Sequence, residues 1–324
     1  MSIPTISLSQ SRATLIAAIR DACLSHGFFQ LTDHSIPTSL QSSLFGQMAT
    51  FFSRPVSIKL HSTKQDHIEG GYEEFRKYSL ETGRGKPDLN EGFAIGPAFV
   101  KNQWPDETVY PELSGFRKTC ESYYAAMHSM AREVGGLIAE GLGLAKDYFE
   151  EYFKDELAHV RLIHYFRPDT VAEETEEIGA GAHTDWTLIT LLLQDQIGGL
   201  KVQYKDTGEW LDVPPTPGAY VVNCGDLLAR FTNGVYVSAR HKVLAPPKGL
   251  HRYSVPYFSD GNPEYVVDVL PMGSEWKEWV GDRKGEVPKA ERLWEPVTAG
   301  DYFQSKWLES ASGGNVENGL GLGA

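Results

Sequence analysis

After Tyr148 the hydrophobic period of this chain changes, and that change limits what it can fold into. Residues 160–166, 187–194, 200–204, 210–213, 219–223, 236–239, 241–245 and 252–258 are short apolar runs, with turn-forming residues between them. Side chains alternate faces along a strand, so many short strands at this spacing predict a sandwich or jelly roll. The first half reads differently. Leu15, Ile16, Ile19, Ala22 and Cys23 recur at helical spacing over 14–26, and Gly27 stops the run. A strand over 28–31, a helix over 40–52 and a long helix over 113–142 follow. Residues 61–96 are polar and weakly periodic, which predicts loops and short strands that form an entrance to a site. Residues 173–181 read as an acidic loop.

The chain is therefore expected to be mainly β with a helical N-terminal part. We divide it into a helical region (1–149), a β core with C-terminal elements (150–309) and a flexible tail (310–324). The aromatic stretch Tyr148-Phe149-Glu150-Glu151-Tyr152-Phe153 is unlike a solvated linker, so the two halves are expected to fold as one unit. With 324 residues, 41% of them hydrophobic, the chain can bury a sizeable core. A net charge of −13 argues against nucleic acid and gives no support for an anionic membrane. No apolar run approaches a membrane span, and the N-terminus lacks the pattern of a secretory signal. The scattered cysteines 23, 120 and 224 suggest reduced thiols and a cytoplasmic protein.

The chemistry concentrates in two motifs. His183-Thr184-Asp185 is answered by His241, and Arg252-Tyr253-Ser254 follows. In a strand, residues two apart share a face, so His183 and Asp185 can hold one metal and Arg252 and Ser254 one anion. Two histidines and a carboxylate on one face of Fe(II) leave coordination positions open, and no cysteine nearby suggests structural zinc. Alone, the first motif is more often a hydrogen-bonded His–Asp pair; the ordered set changes that balance. The guanidinium fork of Arg252 suits a carboxylate, against the plainer reading of a surface arginine. Asn223 and Asp226 read as turn chemistry, and Thr190 divides evenly between site and packing. His251 and His164 alternate away from the site, and His26, His34, His61, His67, His128 and His159 read as structural. Neither Gly70-Gly71 nor Gly135-Gly136 is a phosphate loop.

In this order the motifs resemble those of the 2-oxoglutarate/Fe(II)-dependent dioxygenases of the isopenicillin-N-synthase-like superfamily. Ile3 to Leu8, Gly27 to Leu31, His34 to Pro37, Asn102 to Pro105, Gly198 to Val202 and Val222 to Asp226 extend the likeness over most of the chain. The resemblance implies a double-stranded β-helix (jelly roll) core flanked by helices, with Fe(II) held by His183, Asp185 and His241. It also implies 2-oxoglutarate as cosubstrate, its far carboxylate on Arg252, Ser254 and Tyr165, and molecular oxygen as oxidant. Trp186, Phe258 and Arg161 are candidates for the substrate wall, with packing an equal reading. One departure is Ile163, where many plant members carry asparagine; it points toward microbial secondary metabolism or catabolism. The implied reaction is oxidation of a small organic molecule, by default hydroxylation, with desaturation or ring rearrangement compatible with the same ligands. A 2-oxoglutarate-independent Fe(II) oxidase and a non-catalytic jelly-roll binding module are the alternatives.

Overall fold

A computed structural model describes residues 2–77, 79–81, 86–169, 177–271 and 292–311. The expected tail beyond residue 311 and the acidic residues 173–176 lie outside them. The first half supplies strands β1 (Thr5–Ser7), β2 (Phe28–Thr32), β3 (Gly71–Glu73) and β4 (Asn90–Ile95). Between them lie helices α1 (Arg12–Ser25), α2 (Thr38–Phe52) and α3 (Val56–Lys59), and α4 (Phe116–Gly141) and α5 (Glu150–Phe153) follow. The second half supplies β5 (His159–Phe166), β6 (Ile178–His183), β7 (Ile189–Gln194), β8 (Leu200–Gln203), β9 (Trp210–Asp212) and β10 (Tyr220–Cys224). Then come α6 (Asp226–Phe231), β11 (His241–Leu244), β12 (His251–Phe258), β13 (Val266–Val267), β14 (Val297–Thr298) and α7 (Ala299–Ala311).

From β5 to β12 the chain passes back and forth between two sheets, the winding of a jelly roll. The larger sheet runs β1-β2-β10-β7-β12-β5-β4-β3 and the smaller β6-β11-β8-β9. The N-terminal strands extend the larger sheet at both edges: β2 pairs with β10, and β4 with β5. Two sequence expectations change. Residues 236–239 form no strand, and the segment expected to be loop through residue 181 ends instead in β6, which pairs with β11.

The larger sheet is buried on both faces, and its strands sort their side chains by period two. Val160, Leu162, Leu191, Leu193, Val222, Val255 and Tyr257 pack beneath the helices, in one core with Leu15 and Ile19 of α1, Met48 of α2 and Met127 and Val134 of α4. The intervening Ile163, Tyr165 and Val221 join Ala180, Leu200, Val202 and Val243 of the smaller sheet in a second core between the sheets. Apolar burial of this kind stabilises by about 25 cal/mol per Å². A one-residue slip would exchange the two faces, so register is firmly fixed. What remains on the inner face and is not apolar must find a partner or a ligand. That set includes Arg161, Asn223, Arg252 and Ser254.

Candidate metal centre and its cavity

His183 ends β6 and His241 begins β11, and the two face each other across the antiparallel pair. Their ring centres are 4.3 Å apart. Asp185 follows on the next turn, with Oδ1 at 3.6 Å from His183 Nε2 and 3.5 Å from His241 Nε2. Two ligands about 2.1 Å from one ion and at right angles would lie about 3 Å apart, so one ion can draw on all three. Among the described residues these are the His, Cys, Asp and Glu side chains that converge for a metal.

The surroundings fix which atoms face inward. His183 Nδ1 lies 2.6 Å from the Gly181 carbonyl and His241 Nδ1 3.2 Å from the Ala239 carbonyl. An imidazole that donates through Nδ1 keeps a lone pair on Nε2, the form a metal needs. Asn223 Nδ2 donates to Asp185 Oδ2 at 2.7 Å, which leaves Oδ1 toward the histidines. Burial pushes the Asp185 carboxyl up, but His241 and His183 beside it outweigh that and hold it well below the usual range. Burial pulls His241 down, and Asp185 more than reverses it. Gly225 closes the arrangement. A Cβ there would stand 2.0 Å from the Thr187 carbonyl, so a bare backbone lets the Asp226 amide reach the Asp185 carbonyl at 2.8 Å.

Arg252 is fully buried, with Nη2 donating to Gln194 Oε1 at 3.1 Å. Among the described residues, its Nε and Nη1, and Nε2 of Gln194, have no hydrogen-bond partner. Its guanidinium carbon lies 4.8 Å from the centre of the Tyr165 ring, and Ser254 Oγ donates to the Tyr165 hydroxyl at 3.3 Å. The ring fits because Gly179 faces it: a Cβ at that position would stand 2.8 Å from Tyr165 Cδ1. Buried donors left unpaired are costly, and a carboxylate would supply the acceptors they lack. The donor set thus suits 2-oxoglutarate, as the His–Asp–His set suits Fe(II).

Between the sheets lies a cavity of about 230 Å³ whose wall includes His183, Asp185, His241, Ser254 and Tyr165. Trp186, Phe258 and Arg161 also line it. Arg161 is not a free cation there: Nε and Nη2 donate to Glu73 Oε2 at 2.9 and 2.5 Å, and Lys64 takes the other oxygen. Burial pushes Glu73 up, yet Arg161 and Lys64 overcome it and bring the carboxyl to about 2. Ile163, where many plant members of the family carry asparagine, is on the wall as well.

Several members escaped the sequence reading. Asn223 is a strand residue that holds Asp185, not a turn residue; its period-two partner Val221 gave the signal. Asp226 starts α6 and accepts from Thr184 at 3.2 Å, Ser238 at 2.6 Å and Tyr302 at 2.9 Å. His159 is on the cavity wall, and α7 contributes Phe303 and Trp307. His164 does point away from the cavity, but it is buried, with Nδ1 at 2.9 Å from Glu91 and Nε2 at 2.7 Å from His251.

Known proteins resemble this chain in sequence and fold. Residues 158–261 match the 2OG-Fe(II) oxygenase superfamily, and residues 3–107 match the non-haem dioxygenase in morphine synthesis N-terminal family. The 2-oxoglutarate-Fe(II) type oxidoreductase hxnY of Emericella nidulans is 36% identical over 93% of this chain and 86% of its own. Clavatol oxidase claD of Penicillium crustosum is 37% identical over 79% of this chain and 82% of its own. A full-length Neurospora crassa protein, crystallised in complex with alpha-KG and thymine, superposes with a TM-score of 0.80 at 28% identity, covering 94% of this chain and 96% of that one. Among the described residues, no helix is long and apolar enough to cross a membrane. Sequence, winding and metal-binding geometry agree, and the chain belongs to the 2-oxoglutarate- and Fe(II)-dependent dioxygenases, enzymes that use Fe(II), 2-oxoglutarate and molecular oxygen.

Proposed function

We propose that this enzyme oxidises a small planar organic molecule, with hydroxylation as the default outcome, in microbial secondary metabolism or catabolism. In this reading His183, Asp185 and His241 are the iron ligands. Arg252, with Ser254 and Tyr165, holds the far carboxylate of 2-oxoglutarate, and Trp186, Phe258 and Arg161 belong to the substrate wall. The observation that carries it is the pair of donors on buried Arg252 without partners among the described residues, beside three side chains that could hold a metal ion. When bound, iron and 2-oxoglutarate would activate molecular oxygen, which is the oxidant. The chain's own residues do the rest. The two Nδ1 contacts keep both imidazoles ready to bind, and Asn223 fixes the carboxylate oxygen they face. Arg252 orients the cosubstrate, because a planar fork admits few poses of a carboxylate. Aromatic walls and the C-terminal helix keep bulk water from the reacting groups.

The wall supports the choice of a small, flat substrate. The cavity is small, and Trp186 meets Phe303 edge-on at 5.8 Å, which favours a flat guest over a branched one. That one similar enzyme is named for clavatol and another binds thymine is consistent with this choice. The test begins with Fe(II), 2-oxoglutarate and the protein: succinate should form, faster when an accepted substrate is present. His183→Ala, Asp185→Ala and His241→Ala should each abolish turnover and iron retention in a protein that remains folded by circular dichroism. Full iron content in any of them would remove that residue from the ligand set. Turnover without succinate would replace this reading by the 2-oxoglutarate-independent oxidase.

A further inference from the structure

The inner face of the larger sheet is a grid, and its far row contains a polar group that the reading above leaves unused. Cross-strand register aligns His159 of β5 with Phe258 of β12, Phe258 with Thr190 of β7, and Thr190 with Asn223 of β10. Asn223 holds the metal ligand Asp185, so this row runs from the metal centre to His159. Neighbouring strands lie about 4.8 Å apart, which places His159 about 14 Å along the row from Asn223. Arg252, six residues from Phe258 on β12, pairs with Tyr165 in a different row, so His159 stands outside the donor set around Arg252.

His159 is held for such a meeting. Its Nδ1 lies 2.5 Å from Oδ2 of buried Asp260, two residues beyond Phe258. Its ring stacks on Phe258 with centres 4.7 Å apart and planes at 24°, and Phe303 of α7 closes on it edge-first at 6.3 Å. Ring orientation is therefore fixed by a hydrogen bond and two aromatic contacts. Among the described residues no hydrogen bond engages Nε2, and the side chain is 26% exposed, on the cavity wall. A carboxylate only accepts, so Asp260 directs the proton of a neutral imidazole to Nδ1 and leaves Nε2 as an acceptor.

Resting on the assignment of this cavity to a small planar substrate, we propose that His159, oriented by Asp260, selects that substrate by accepting a hydrogen bond from a ring O–H or N–H. The class of compound is a small phenol, enol or lactam. Phe258, occupied by the His159 ring over one part of its face, extends the flat floor on which such a ring lies. The donor meets Nε2, and the opposite edge of the molecule then faces the metal centre, where oxidation takes place. His159 determines which molecule is bound and how it is turned; it takes no part in the oxidation itself.

The test is a panel of small phenols, enols and lactams, each beside its O- or N-methyl counterpart. Each is titrated into the anaerobic Fe(II)–2-oxoglutarate protein and followed by quenching of the intrinsic fluorescence to which the wall residues Trp186 and Trp307 contribute. The wild type should bind the donors of the best pairs roughly ten-fold more tightly than their methylated forms. In His159→Phe, which keeps the aromatic stack, that ratio should fall to about two-fold or less. The double variant His159→Phe/Asp260→Asn leaves no unpaired buried charge and serves if the single one is unstable. Persistence of the preference in a folded variant would overturn the proposal, as would a wild type that ignores methylation or binds no member of the panel. Titration of 2-oxoglutarate separates the failures: loss of cosubstrate binding in the wild type sinks the functional reading, whereas normal binding with unchanged discrimination sinks only the role of His159.

Discussion

Replacement of Arg252 by methionine should separate affinity from stability. The arginine is completely buried, yet among the described residues Nε and Nη1 have no hydrogen-bond partner. Where no water reaches it, each unsatisfied buried donor costs about 1–3 kcal/mol, at most about 2–6 kcal/mol for the pair. Methionine removes that cost and fills similar space with a flexible apolar chain. Against this stand the lost contact with the Tyr165 ring, about 0.5–2 kcal/mol, and a Gln194 amide left without its donor, about 1–3 kcal/mol. The two sides nearly offset at their midpoints, so the melting temperature of the metal-free variant should stay within a few degrees of the wild type. Binding of 2-oxoglutarate should suffer heavily. A hydrogen bond to a charged group contributes about 1.5–3 kcal/mol. One such bond lost weakens affinity by about ten- to a hundred-fold, and two by more. The assay is 2-oxoglutarate titration of the anaerobic Fe(II) protein, read by its metal-to-keto-acid charge-transfer absorption, beside a thermal melt without ligand. Arg252→Lys should recover part of the affinity, because a point charge lacks the second prong. A methionine variant that binds 2-oxoglutarate as the wild type does would refute the cosubstrate assignment. A large fall in melting temperature would show that the arginine's contacts outweigh its unpaired donors.

Asn223→Leu should lower iron affinity by about ten- to a hundred-fold while His183, Asp185 and His241 remain, since outer partners of this kind orient the ligands; unchanged affinity by competitive chelation would limit Asn223 to packing. Trp186→Ala and Phe258→Ala should impair substrate turnover while 2-oxoglutarate affinity stays within about two-fold, a margin of roughly 0.4 kcal/mol; normal turnover would return either residue to the packing account. Glu73, brought from 4.5 to about 2, contributes stability that is complete above pH 4.5 and disappears as pH falls toward 2. The stability gap between wild type and Glu73→Gln should therefore shrink over that window in denaturant titrations, and a gap independent of pH would show that Glu73 acts through shape alone.

What the sequence made legible is what strand periodicity encodes. Arg252, Ser254 and Phe258 share a face because they are two and four residues apart, and the structure puts Ser254 and Phe258 on the cavity wall. Arg161 and Tyr165 follow the same rule on β5. The β6 strand was hidden because Ile178-Gly179-Ala180-Gly181-Ala182 is poor in strand formers. It forms a strand because its small residues let the Tyr165 ring approach, a tertiary reason that no local propensity contains. Residues 236–239 fail in the opposite way. Tyr236 and Val237 are apolar because they are buried against α1 and the core, and burial without a pairing partner looks the same in sequence as a strand.

Partners distant in sequence were beyond reach for another reason. Arg161 reads as an available cation until Glu73, 88 positions earlier, is found on it. Two cations converge on that one carboxylate, and burial makes the arrangement sensitive to any change in its charge. His159 shows the reverse case: its partner Asp260 is 101 positions away, and a histidine on a strand gives no hint of which nitrogen will be tied down. Its meaning comes from register. Because β5 pairs with β12, the residue that fixes the His159 ring and the residue that stacks on it arrive together from the end of a single strand. The same strand carries Arg252 at its other end. A sheet whose pairing is fixed along its whole length thus sets the distance between Arg252 and His159. Insertion of one residue in β12 between Ser254 and Phe258 would turn either Arg252 and Ser254 or Phe258 off the inner face.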